Sequence, residues 1–124
     1  MSECKIVTLP GSLSNPLFDV SYANPCDGST IEVYRAGTNP HPTVTFQVNT
    51  NAGECPVTLK VEREGEDFET IIQPNSNRAF TISNVKRISI QCSVAGGQTC
   101  LWEVIGTGIS YCQEIDDDHD ESGD

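Results

Sequence analysis

The residues most able to do chemistry in this sequence are its cysteines. Six stand at Cys4, Cys26, Cys55, Cys92, Cys100 and Cys112. None forms a C-x-x-C pair, so a zinc knuckle or a thioredoxin-type redox site is disfavoured. Wide spacing in a small domain with few aromatic residues points to disulfides. Spacing does not choose among the many pairings that six cysteines allow. Buried free thiols acting as small hydrophobes are the other plain reading. Cys4 differs from the rest. It lies near the chain start in a segment rich in Pro, Ser and Asn, where an internal bridge would do little for a core. A thiol on such an arm is placed to reach another molecule, and an intermolecular bond is favoured over an internal one.

Other chemistry is less well supported. Of the two histidines, His41 sits between prolines and His119 sits in an acidic tail. Neither has a partner on an ordered element nearby in sequence, so no catalytic residue and no enzyme activity are expected. Glu62, Glu64, Glu66, Asp67 and Glu69 gather around one turn and read as solvated surface. The run Asp116, Asp117, Asp118, His119, Asp120, Glu121 offers hard ligands but lacks EF-hand spacing and its glycine. Solvation of an exposed end explains it better, so no metal and no cofactor are expected. Trp102 reads as core rather than as a ligand platform.

Charge narrows the partners. The formal net charge is −11. Much of it lies at the end, in Glu114, Asp116, Asp117, Asp118, Asp120, Glu121 and Asp124. The body is mildly acidic, and nothing in it suits a phosphate backbone, so nucleic acid is disfavoured. No run approaches the roughly 20 apolar residues of a membrane helix, so no membrane partner is expected. Met1 to Pro10 contains Glu3 and lacks an apolar h-region, so no secretory signal is expected there.

The elements that must position the cysteines are strands. Val44, Phe46 and Val48 alternate with Thr45, Gln47 and Asn49. The same period of two recurs at Val57, Leu59, Val61, at Phe80, Ile82, and at Ile88, Ile90, Cys92, Val94. Each pattern gives one apolar and one polar face, as in an antiparallel sheet. Residues 37–42, with two prolines, cannot continue a ladder. Residues 51–53, 63–66, 74–77 and 95–97 carry the Gly and Asn of turns. Strands are expected near 30–36, 43–50, 56–63, 67–73, 78–83, 86–94 and 99–110. The expected fold is all-β, a single eight-stranded antiparallel jelly-roll sandwich. Residues 1–25 are expected as an extended connector arm with a short strand near 17–22, residues 26–112 as the sandwich, and residues 113–124 as a disordered acidic tail.

The second half also carries a resemblance. Ala79-Phe80-Thr81-Ile82, Ile88-Ser89-Ile90 and Gly97-Gln98-Thr99-Cys100 follow one another as polar turn, strand, short turn, strand, Gly-rich loop and strand. The stretch over about residues 70–110 resembles the closing strands of the endospore appendage subunits of the Bacillus cereus group. That resemblance implies a self-assembling fibre subunit, whose arm cysteine bonds to body cysteines of copies further along. Carried over by position, Cys4 matches the arm cysteine, Cys100 the body cysteine of the last strand, and Cys26 a second, weaker acceptor. Three features depart from that family: a single arm cysteine, the additional Cys55, Cys92 and Cys112, and the acidic tail. They favour a ladder-like, disc-stacking variant, or a protein that anchors a fibre to other spore-surface proteins. Its place would be the spore surface, after synthesis in the mother cell. A soluble jelly-roll module, binding a ligand through loops at His41, Gly65 or Gly96, is the alternative from another class.

Overall fold

The computed structural model describes residues 4–37 and 41–114. Nine strands and no helix lie among them: β1 Cys4–Pro10, β2 Phe18–Asp27, β3 Thr30–Arg35, β4 Thr43–Asn49, β5 Val57–Arg63, β6 Phe68–Ile72, β7 Asn77–Ile82, β8 Val85–Cys92 and β9 Val94–Glu114. Two antiparallel sheets face each other. In the first, β4 lies between β7 and β9, and the far edge of β9 is shared by β1 and β2. The second runs β3-β8-β5-β6.

The alternation read from the sequence is what closes the two sheets on one core. In β4, Val44, Phe46 and Val48 are buried while the residues between them are not. In β5 the same holds for Val57, Leu59 and Val61. Ile88, Ile90 and Cys92 of β8 meet Trp102 and Val104 of β9 across the interior. Burying a Val, Leu or Ile side chain this fully contributes about 1.5–3 kcal/mol each before entropy is counted. Trp102 is core, as expected, and stacks on Tyr22 at 5.5 Å between ring centroids.

One buried hydroxyl organises the end of the sandwich that holds two of the disulfides. Thr50 Oγ1 donates to the Gln73 carbonyl at 2.7 Å and accepts from the Ser76 amide at 3.0 Å. This satisfies a polar group that is fully enclosed, which would otherwise be costly. Asn75, at φ 59°, makes the turn that presents those groups.

The N-terminal quarter differs from the expectation. Residues 18–27 are not part of a free arm; they form β2, paired with β9 from Phe18↔Gly106 to Asp27↔Val94. Phe18, Val20 and Tyr22 alternate with polar residues and pack against the core. Pro10 ends β1, Pro16 lies between the strands, and Pro25 fits within β2 because that strand is an edge and its register shifts there. Residues 4–10 form a ninth strand, one more than expected. β9 is also longer than the expected 99–110. It runs through Gly96 and Gly97, the latter at φ 76°. Of the expected tail, Gln113 and Glu114 belong to β9, and residues 115–124 lie outside the described residues.

Candidate functional site

The six cysteines form three bonds within the chain: Cys4–Cys112, Cys26–Cys55 and Cys92–Cys100. Two of them belong to the core. Cys26, Cys55, Cys92 and Cys100 are all buried. Cys26–Cys55 joins the end of β2 to the segment entering β5, and Cys92–Cys100 joins β8 to β9. Both therefore tie one sheet to the other. Cys100 and Cys26, expected as acceptors for a neighbour's thiol, are in the single chain enclosed and bonded to Cys92 and Cys55.

Cys4–Cys112 is of a different kind. Cys4 is exposed and Cys112 only half-buried. The expected bond from Cys4 to a neighbour is, in the single chain, a bond to its own last strand, an acceptor that the resemblance did not indicate. The register explains the pairing. β1 runs antiparallel to β9 with Cys4 opposite Glu114 and Ile6 opposite Cys112. Cys4 and Cys112 are diagonal neighbours on one face of the ladder, 5.4 Å apart at Cα. The sequence signal for this was the long apolar and β-branched run that follows Gly97, which carries β9 past the sandwich.

The bond sits on a projecting ribbon. β4 pairs with β9 only as far as Ser110, whereas β1 continues to Glu114. Beyond Ser110, β9 has a neighbour on one side only among the described residues. Collinear β1 and β2 share the same edge of β9, separated by residues 11–17, which turn out through Ser12 and Asn15. Ile6, Leu9 and Leu13 are exposed apolar side chains on this segment.

One cavity among the described residues, about 420 Å³, is a groove over the outer face of the second sheet. Three of its charges are tied together, Arg87 to Glu62 at 2.6 Å and to Glu32 at 3.7 Å, and Glu32 also meets Arg35 at 2.7 Å. Glu32 is held below the usual carboxylate range, first by its hydrogen bond from Arg35. On the opposite outer surface Glu103 is pushed upward, chiefly by sharing a hydrogen bond with Asp19. His41 lies 3.8 Å from Glu64 through Nε2. Its Nδ1 and the Trp102 indole N–H are buried without a partner among the described residues. No cluster of three or more metal-ligating side chains occurs among the described residues.

Comparison with known proteins places these features. The family model for endospore appendages matches residues 19–107. The match takes in both buried bridges and leaves Cys4 and Cys112 outside it. Among solved structures, the chain is similar to a Bacillus endospore appendage from a family described as disulfide-linked pili. The identity is 12%, each chain is covered over 91% of its length, and the TM-score is 0.59. It also matches a structure of infectious bursal disease virus, Gt strain, at 12% identity and TM-score 0.46. That match covers 89% of this chain and 33% of the viral one. No curated protein matches the chain.

Proposed function

The chain belongs to the endospore appendage family, and from that membership we propose that it is a structural subunit that joins copies of itself into a spore-surface fibre. The strand order β2-β9-β4-β7 facing β3-β8-β5-β6 supports reading the body as an eight-stranded jelly roll with β1 added to it. Such a body keeps unpaired edges, which another copy can extend by strand addition.

The observation that carries the reading is the exposure of one disulfide out of three. Cys26–Cys55 and Cys92–Cys100 hold the fold; Cys4–Cys112 holds only a ribbon beyond it. If β1 leaves its own β9 and pairs with β9 of a neighbour, the same ladder hydrogen bonds form again. The exchange is then nearly neutral in contacts, with residues 11–17 as the hinge, as in domain swapping. With both sulfurs as thiols before assembly, Cys4 of one copy and Cys112 of the next give two electrons and two protons to an external oxidant such as dioxygen, and the new S–S bond makes the join covalent. Each copy gives one strand and receives one, so the contact is heterologous and propagates. A subunit of this kind acts by assembly and has no reaction to catalyse.

Non-reducing gel electrophoresis of oxidised, assembled protein tests this. Wild type is expected to give a ladder of SDS-resistant multimers that collapses with reductant. Cys4→Ser and Cys112→Ser should each abolish the ladder while the body still folds. Ladders that persist in either variant would overturn the join.

A further inference from the structure

We infer that copies also meet end to end through a non-covalent contact, between copies other than those joined by β1: the disulfide-closed loop carrying Val94 of one copy docks under the β1–β9 ribbon of another. This rests on the fibre reading above and adds a second, separate interface to it.

Both surfaces are apolar and stand without a partner among the described residues. Val94 is 81% exposed, more than any other large hydrophobic side chain among the described residues. It is held rigidly all the same. The Cys92–Cys100 bond closes its loop, Asp27 pairs with it in the ladder, and Glu54 Oε1 accepts from the Thr99 amide at 2.7 Å. Gly28 lies against one Val94 methyl, where even an added Cβ would stand 3.0 Å away. A preordered apolar side chain at a loop tip loses little entropy on docking.

The receptor is the core face of the first sheet where it outruns the second. Ile109 is opposite buried Val44 in the ladder, so it points to the core side. Tyr111 and Leu9 lie on that same face. The second sheet stops short of them, and with Tyr34 and Pro42 they line a cavity of about 230 Å³. That is room for a valine side chain and part of its loop.

Position and charge both select a second copy as the occupant. Val94 and Ile109 stand on the same strand, β9, and the pairing of Asp27 with Val94 and of Phe18 with Gly106 sets them on the order of 40 Å apart at strand rise. Knob and receptor are thus at opposite ends, so one copy cannot satisfy itself and the contact repeats without closing. The knob is flanked by the carboxylates Asp27 and Glu54. Asp27 is kept ionised by its hydrogen bonds from Ser29. At the receptor end, Lys5 shares the ribbon face with Val7 and Leu9 by the period of two. Lys86 lies beside Ala36 through a backbone bond. Neither lysine forms an ion pair among the described residues. Glu64 at that end faces His41 instead, so the carboxylates flanking the knob can meet the two lysines around an apolar centre.

The test is assembly of Val94→Asp, a change at a surface site that leaves the fold intact by circular dichroism. The critical concentration for fibre formation, read by light scattering and negative-stain microscopy, should rise about tenfold or more. A photo-crosslinking residue at position 94, in a mixture of isotope-labelled and unlabelled copies, should join that position to peptides containing Leu9 or Ile109 and Tyr111 of another copy. If Val94→Asp assembles like wild type, or the crosslink maps elsewhere, the end-to-end contact is wrong while the fibre reading stands. If wild type itself stays monomeric under oxidation, both are wrong.

Discussion

Removing the ribbon disulfide from the monomer separates two explanations of why a chain keeps an exposed bridge. In the double variant Cys4→Ser/Cys112→Ser no buried volume is lost, because Cys4 is exposed and Cys112 half-buried. The change therefore acts mainly on the unfolded chain. The bond closes a loop with a sequence separation of 108, which by chain entropy is worth about 5 kcal/mol. The Cys92–Cys100 loop, with a separation of 8, is worth only about 2.5 kcal/mol by the same relation. A domain of this size should then melt about 20 °C lower without the ribbon bond.

The assay is calorimetry on protein held dilute enough to stay monomeric, with peptide mapping to verify that wild type carries the Cys4–Cys112 bond. A loss below about 1 kcal/mol would refute the reasoning. It would mean that closing nearly the whole chain into a loop does not restrain its unfolded state. The same variant in assembled protein should lose covalent multimers instead, since a bond made in trans closes no loop within one chain.

Mild reductant should open Cys4–Cys112 well before the two enclosed bridges, with alkylation mass spectrometry labelling Cys4 and Cys112 first; simultaneous labelling of all six would contradict the burial difference. Gly106→Ala should cost about 1–3 kcal/mol, because a Cβ there would lie 2.1 Å from the Phe18 ring, which stacks on Tyr34 at 5.1 Å; unchanged melting would show that the ring moves freely. Thr50→Val should cost about 1–3 kcal/mol by leaving the Ser76 amide and the Gln73 carbonyl without their partner, as measured by denaturant titration. For Glu103, whose folded pKa is raised by Asp19, the associated stability is full below its ordinary value of 4.5 and is lost as pH rises through the raised value. Asp19→Asn should therefore gain on wild type in melting temperature as pH climbs from that range; a constant difference at all pH would remove the carboxyl pair as its cause. Glu32 has the opposite sign, lowered by Arg35, so Glu32→Gln should flatten the fall in stability as pH drops below the ordinary carboxylate range.

The sequence by itself determined most of the strands of the body and the sides that face inward. Alternation at Val44, Phe46, Val48 and at Val57, Leu59, Val61 leaves no helix that could bury those residues together, and the Gly, Asn and Pro clusters end each run. The observed strands begin and end within about two residues of most expected ones, as local patterns should permit. It also carried, in the residues around Phe80, Ile88 and Cys100, enough pattern to point to the appendage family that the match over 19–107 then established.

What only the tertiary structure decided is which parts of the chain meet. Cys4 finds Cys112 because β1 and the end of β9 share a ladder at a sequence separation of 108, and no local signal specifies a register between segments that far apart. The same holds for Cys100, which reads on paper like an acceptor for a neighbour. Its strand carries it into the interior, where in the single chain it is buried and bonded to Cys92. The short strand expected near 17–22 proves longer, Phe18–Asp27, because an edge position makes the missing N–H of Pro25 harmless and β9 pairs with it along its length. Composition and period fix what each residue prefers, but exposure is a property of the packed whole, and exposure is what sets the bond at Cys4 apart from the other two.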